Sequence, residues 1–552
     1  MRSLALAVLA LSLTRALAQQ PITAPHALVS SAEPLATDAG VQILQKGGNA
    51  FDAAVAVGFA LAVTYPQAGN IGGGGFFVGL SQHGTPLMLD FREVAPAAAT
   101  KTMFLDAAGN VIEGKSTDSW KAVGVPGTVD GLIQLQEKFG KLTLQQDMAP
   151  AIALARHGFA VSARMHRSLI ANQERFGKKD TGVFYPNGEP LAEGAMFFQP
   201  DLADTLQSIS DKGRSAFYEG EFAQNFGEAM YRKGGLITAN DLHKYHAKWR
   251  EPFVFSYGDY TFITPPLPSS GGIVLDQILR LVDWQALKTA GHNTAAYVQM
   301  LTEAERLAYA DRNAYLGDSD FVKVPVRELT SREYLAKRKS LMPVGKAGNS
   351  KDIGPGTPEH LQTTHYTAVD RWGNVAAVTY TLNDSYGLGE MLPGAGFLLN
   401  NEMDDFTSKP GVANLYGLVQ GEFNAIAPFK RPLSSMTPTI VKRKGEFFLT
   451  LGSPGGSHII TAVLQTFLNV ALFDMNIAEA VDAGRFHHQH LPDYITYEDG
   501  ALSENVLTEL QKMGYTMDKV RALGEVNAIM RMPDGTLAGW ADKREAGKTA
   551  GY

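Results

Sequence analysis

Residues 363–382 read Thr-Thr-His-Tyr-Thr-Ala-Val-Asp-Arg-Trp-Gly-Asn-Val-Ala-Ala-Val-Thr-Tyr-Thr-Leu. Val, Thr and Tyr recur here in the alternation of a strand, and the reading is one strand-like run over 366–380 that begins to extend at Thr363. Just upstream, residues 342–359 crowd Pro343, Gly345, Gly348, Pro355, Gly356 and Pro358 among polar side chains, which predicts an exposed, mobile linker. Scission of the Gln362–Thr363 bond would leave Thr363 at the leading end of a buried strand. We place the main boundary of the chain at that bond.

A threonine hydroxyl inside a chain is a poor nucleophile. At a new N-terminus its own α-amino group, with a pKa of about 7.7 to 8.0, can act as general base near neutral pH. Before scission the same hydroxyl can attack the carbonyl of Gln362, move the acyl group from nitrogen to oxygen, and release the ester to water. By propensity alone Thr363 is an ordinary edge-strand threonine. The case for chemistry therefore rests on what surrounds it.

Composition sets the frame. The chain has 552 residues, 45% hydrophobic and 19% charged, enough apolar content for a large core. At roughly 150 residues per domain the length suggests about three or four domains, a loose guide for α/β architectures. A net charge of −7 offers no basic field for a phosphate backbone, so nucleic acid is not an expected partner. The absence of cysteine excludes disulfides, thiolate metal sites and a cysteine nucleophile together.

At the start of the chain, Arg2, an apolar run over 4–13 and the small-x-small Ala16-Leu17-Ala18 predict an export signal over 1–18, with the mature protein starting at Gln19 in the periplasm or outside the cell. A buried N-terminal helix is the alternative. Residues 53–63 are apolar but too short to cross a bilayer, and they read as a buried helix, so no membrane span is expected in the mature protein. Helical patterns lie at 38–61, 142–157, 294–315 and 459–472, and further strand-like runs at 76–80 and 447–451. The mixture predicts an α/β or α+β enzyme without repeats.

Several signals point to other chemistries and fall short. Gly72 to Gly75 lacks the G-x-G-x-x-G spacing and reads as tight backbone packing. Gly547-Lys548-Thr549 has a P-loop's tail, but Asp542 stands where the first glycine belongs. His487, His488 and His490 invite a metal reading, yet no His-Glu-x-x-His is present. There is no Gly-x-Ser-x-Gly elbow either.

The motifs around Thr363 form a set. Thr363-Thr364-His365-Tyr366, Thr379 to Asn383, Asn400 to Phe406, Arg431 to Met436 and Gly452 to Ser457, with upstream Asn70 to Phe76, Asp90 to Pro96, Pro268 to Gly272 and Ala310-Asp311-Arg312, and the terminal Thr549 to Tyr552, closely resemble the γ-glutamyltranspeptidase family of N-terminal-nucleophile hydrolases. The resemblance covers essentially the whole mature chain.

The resemblance implies a four-layer αββα sandwich, with two stacked central sheets flanked by helices. It implies autocleavage into a large subunit, 19–362, and a small catalytic subunit, 363–552, that stay together as a heterodimer. It implies a nucleophile, Thr363, helped by Thr381, and an oxyanion hole at Gly455 and Gly456, where glycine lets backbone N–H groups approach closely. Arg92, with Ser434 and Ser435, resembles a clamp for the α-carboxylate of a γ-glutamyl group; Asn383, Glu402 and Asp405 resemble the acceptors for its ammonium. A bare Asp404-Asp405 would otherwise read as a turn, a helix cap or a metal site.

No cofactor is implied. The activity implied is transfer of the γ-glutamyl group of glutathione and similar small donors to water or to amino acids and dipeptides. Glu402 departs from the family pattern, since many bacterial members carry glutamine there. Lys543 stands where proline is common. Residues 410–423 match a lid over the pocket, with Tyr416 as its aromatic. A cephalosporin or glutaryl acylase on the same threonine, a binding protein that never cleaves, and a zinc hydrolase built on the histidines are the competing readings.

Overall fold

The computed structural model of the protein describes residues 19–552 except 177, 178, 180, 181, 353–362 and 416. The predicted leader, Gln362 and Tyr416 therefore lie outside the described residues. Strand alternation sorts side chains into layers. In Thr364–Val369 and Val375–Thr381 the even residues Tyr366, Ala368, Ala376, Val378 and Tyr380 join an apolar cluster shared with helices. The odd residues Val369, Val375 and Ala377 instead meet Ile263, Ile440 and Ile529 of a second sheet. Period-two alternation thus gives each strand one face for helices and one for the other sheet.

Each of these two stacked sheets has seven strands, and two smaller sheets of three and two strands lie apart from them. The first runs Lys548–Gly551, Leu28–Ser31, Thr364–Val369, Val375–Thr381, Gly74–Leu80, Pro86–Asp90, Lys248–Trp249, antiparallel throughout. The second runs Ile22–Ala24, Leu537–Ala541, Asn527–Arg531, Glu446–Gly452, Thr439–Arg443, Tyr260–Thr264, Phe253–Tyr257, also antiparallel. Ala50–Thr64 packs on the first sheet with all its residues buried, as expected of the alanine-rich run 53–63. Gly271–Leu281, Ala295–Tyr315 and His458–Ala471 cover the second. The layers are helix, sheet, sheet, helix, as the resemblance implies. Among the described residues no helix is long and apolar enough to cross a membrane.

Three expectations need correction. The run 38–61 is two helices, Pro34–Gln45 and Ala50–Thr64. Gly47 turns left-handed between them at φ 94°, and Asn49 with Asp52 forms a reciprocal cap that starts the second. The run 366–380 is a hairpin, because Asp370 Oδ1 accepts from Trp372 N at 2.8 Å and Asn374 N at 3.0 Å and Gly373 takes φ 89°. The expected mobile linker is exposed at Val344 but held midway, where Ser350 is fully buried with its N–H donating to Asp493 Oδ2 at 2.8 Å; its last residues, 353–359, lie outside the described residues.

Candidate active site

Register brings Thr363 to Thr381. Thr364 pairs with Tyr380, so one step further along the antiparallel ladder sets Thr363 opposite Thr381, and their Oγ atoms lie 3.4 Å apart. Thr363, one residue ahead of its strand, and Thr381, the last of its own, share the odd-numbered face and line the same pocket. Neighbouring odd residues hold that end in place. His365 Nδ1 is 2.8 Å from Thr379 Oγ1, and Thr367 Oγ1 is 2.9 Å from Thr450 Oγ1 across the sheets. Burial pushes the His365 ring down to about 3, so it stays neutral. Gly452 is dictated by this packing, because a Cβ there would meet His365 Nδ1 at 2.4 Å.

The Gly72 to Gly75 run has the same kind of cause. A Cβ at Gly73 would lie 2.0 Å from Thr381 O, and at Gly75 2.3 Å from Thr379 O. It is backbone packing beneath the threonine pair, as its spacing predicts.

Thr363 and Thr381 line a pocket of about 310 Å³ together with Arg92, Asn383, Glu402, Asp405, Ser434, Ser435 and Gly456. The sequence-predicted residues therefore converge, with Gly455 one step behind Gly456. Gly455 and Gly456 have φ values of 127° and 52° and precede the helix His458–Ala471. Gly456, Ser457 and Ile459 line the pocket, which brings the N-terminal, positive end of this helix's macrodipole to it. Ser457, at the N-cap position, does not cap with its side chain. Its Oγ donates to Gln489 Oε1 at 2.5 Å, and its carbonyl accepts from Tyr309 Oη.

Arg92, Glu93, Glu402 and Asp405 form one network. Arg92 is fully buried and donates through Nη1 to Glu402 and through Nη2 to Asp405, with Glu93 Oε2 at 3.4 Å. The expected carboxylate clamp and the expected ammonium acceptors are thus hydrogen-bonded to each other. Burial works against the Arg92 charge, but Glu402 and Asp405 more than offset it and hold the guanidinium charged. Burial also drives Glu402 well above the usual carboxylate range against the pull of Arg92, and pushes Glu93 up to about 7. Asn383, at φ 77°, donates its N–H to Thr381 Oγ1 at 2.9 Å and its side-chain amide to Asn401 O at 3.0 Å. That links the threonine pair to the head-group end.

Arg312 and Ser457 were not singled out from sequence. Arg312, nearly fully buried on Ala295–Tyr315, lines the pocket and donates to Ser270 Oγ at 3.0 Å and Ser435 Oγ at 2.9 Å. Its signal was present in the Ala310-Asp311-Arg312 motif. The segment after the head-group residues also touches the site. Asn414 Nδ2 donates to Asp405 Oδ1 at 3.3 Å, Leu415 N to Asp404 Oδ2 at 2.7 Å, and Leu418 lines the pocket. The histidines 487, 488 and 490 are buried elsewhere, with His487 on Thr461 and Gln489 and His488 on Asp493.

Two stacked antiparallel sheets between helix layers, with a threonine leading a central strand into the cleft, are the fold of the N-terminal-nucleophile hydrolases. Within that class, the Gamma-glutamyltranspeptidase family model matches residues 36–552. Glutathione hydrolase proenzyme of Escherichia coli (strain K12) is 46% identical over 543 residues, 96% of this chain and 93% of the relative. Among solved structures, cephalosporin acylase from Bacillus halodurans is similar at a TM-score of 0.84 and 25% identity, over 97% of both chains. Helicobacter pylori γ-glutamyltranspeptidase is 44% identical at a TM-score of 0.57, over 59% of this chain and 94% of that one. The chain belongs to the γ-glutamyltranspeptidase family, and it is an enzyme.

Proposed function

We propose that the protein is a self-processing γ-glutamyltransferase and glutathione hydrolase whose nucleophile is Thr363. The observation that carries the reading is the shared pocket: Thr363 beside Thr381, a glycine turn at a helix N-terminus, and a buried arginine among carboxylates, all within one cavity. In maturation Thr363 Oγ attacks the Gln362 carbonyl, the peptide bond gives way to an ester, and water frees fragments 19–362 and 363–552. In turnover the new α-amino group takes the proton from Oγ as the oxygen attacks the γ-carbonyl. The N–H groups of Gly455 and Gly456 receive the oxyanion, and Thr381 holds the attacking hydroxyl. The amine leaves with that proton, and a γ-glutamyl ester remains on Thr363. Water yields glutamate; an amino acid or dipeptide yields a new γ-glutamyl compound.

The α-carboxylate enters between Arg92 and the hydroxyls of Ser434 and Ser435, and the ammonium meets Asp405, Glu402 and Asn383. A glutaryl side chain has no ammonium to set against these carboxylates, which favours γ-glutamyl over glutaryl donors despite the likeness to cephalosporin acylase. Residues 410–423 act as the lid, with Tyr416 in it, and 1–18 as an export leader that delivers the heterodimer to the periplasm or medium.

The test is N-terminal sequencing of the smaller fragment together with Thr363→Ala. The expected results are threonine as first residue and a single uncleaved, inactive chain. Recovery of two fragments from Thr363→Ala would refute the assignment.

A further inference from the structure

The glycine turn ahead of helix His458–Ala471 has no side chain of its own to hold it. Gly455 and Gly456 take φ values of 127° and 52°, a conformation that glycine reaches freely and leaves as freely. Donors for a developing oxyanion must nevertheless stand still, because their value lies in being in place before the charge forms. The first side chain able to fix the turn belongs to Ser457, the next residue, which itself lines the pocket of Thr363.

Ser457 begins a polar ladder along the helix. Ser457, Thr461 and Gln465 follow one another at intervals of four, which stacks them on one face. Each meets the segment that runs from Phe486 to Gln489. Ser457 Oγ donates to Gln489 Oε1 at 2.5 Å, and Thr461 Oγ1 is 2.9 Å from His487 Nδ1. Gln465 exchanges two hydrogen bonds with the backbone of Phe486, at 2.6 and 3.2 Å. His487 Nε2 lies 3.0 Å from Gln489 Oε1 and so joins the first two rungs. Burial, and then the neighbouring His458, push the His487 ring well below its usual range. A neutral ring offers one donor and one acceptor, which is what a bridge between Thr461 and Gln489 requires. The segment is itself fastened, since Phe486–His487 pairs with Ile495–Glu498. Ser457 is thus held twice, by Gln489 at its hydroxyl and by Tyr309 Oη at its carbonyl.

We infer that Gln489, seated by His487, is a positioning residue for the reaction: through Ser457 it holds Gly455 and Gly456 where the oxyanion forms. The inference rests on the γ-glutamyl transfer proposed above and extends its machinery to a buried segment outside the pocket. It also divides the labour of the site. Arg92, Asp405, Ser434 and Ser435 line the pocket from other segments, so they hold the head group without passing through this turn. Loss of Gln489 therefore slows the chemistry and spares donor binding.

The test follows p-nitroaniline release from γ-glutamyl-p-nitroanilide by the processed enzyme and by Gln489→Met, Ser457→Ala and the double variant. Methionine keeps the length of the glutamine side chain and removes its amide. Each rate is divided by the amount of the smaller fragment, so a loss of folding or self-cleavage lowers yield and not turnover. In each single variant kcat should fall about five- to fiftyfold, less than the roughly 10²–10³ that outright loss of an oxyanion donor costs, with KM within about twofold of the parent. The double variant should be no slower than the slower single one, because both substitutions break the same link. A kcat within about twofold of the parent in either single variant, losses that multiply in the double variant, or a raised KM at unchanged kcat would overturn the inference while leaving γ-glutamyl transfer intact. No p-nitroaniline release from the unsubstituted enzyme would overturn that underlying reading as well.

Discussion

Arg92 is a fully buried cation facing three carboxylates. A cation with no exposed surface must be compensated at close range, and here Glu402 and Asp405 do it, with Glu93 behind them. An α-amino acid head group brings its own carboxylate and ammonium, so it enters such a network by exchanging partners rather than by leaving a charge bare. Geometry then matters as much as charge, since a guanidinium serves several oxygens in a plane and an ammonium cannot. Arg92→Lys should therefore fold and self-cleave yet bind γ-glutamyl donors weakly. With a charged hydrogen bond contributing about 1.5–3 kcal/mol, the donor KM should rise roughly ten- to a hundredfold while fragment yield on a denaturing gel stays normal. A donor KM within twofold of the parent would show that the clamp lies elsewhere.

The segment around Leu415 is tied to the site by Asp404, whose side chain accepts from Leu415 N at 2.7 Å and from Ser116 Oγ at 2.6 Å. Burial pushes this carboxyl up to about 7, with Asp405 and Asp384 adding to the rise and the two hydrogen bonds opposing it. The sign follows. Its folded pKa exceeds the unfolded value of about 3.9, so the folded state binds the proton more tightly and this group's contribution to stability falls as pH rises from about 4 to 7. Asp404→Asn removes that slope. Its melting temperature relative to the parent should increase between pH 5 and pH 8, and a difference independent of pH would contradict the assignment. None of this was visible in the Asp404-Asp405 pair itself, because a carboxyl's neighbours across the fold are not encoded beside it. The same limit explains the other omissions. Ser457 matters through Gln489 and Tyr309, far away in sequence, and Arg312 through Ser270 and Ser435. What could be read was local or motif-borne: the helix over 142–157 is Leu144–His157, and that over 459–472 is His458–Ala471. The errors at 38–61 and 366–380 came from apolar periodicity that continued across a glycine, where side-chain–backbone capping decides the break.

Across the whole molecule, the boundary proposed at Thr363 divides the sequence but not the architecture. In the first sheet, strand Leu28–Ser31 from before the boundary lies between Lys548–Gly551 and Thr364–Val369 from after it, and Val375–Thr381 pairs with Gly74–Leu80. In the second, Ile22–Ala24 pairs with Leu537–Ala541, and Thr439–Arg443 with Tyr260–Thr264. Each sheet therefore completes its hydrogen-bond ladder only with strands from both segments, and the cluster between the sheets draws on both. A strand stripped of its neighbours would expose a row of unpaired backbone groups and an apolar face. The apolar clusters on and between the sheets draw on residues from both sides of that boundary, so neither proposed fragment has a core that closes without the other. The processed enzyme should thus elute as one species under native conditions, separate only in denaturant, and melt in a single transition rather than two. Differential scanning calorimetry on the processed enzyme, with size exclusion before and after urea, checks this. Two resolved transitions, or fragments that part without denaturant, would mean that the interleaved strands are not one cooperative unit.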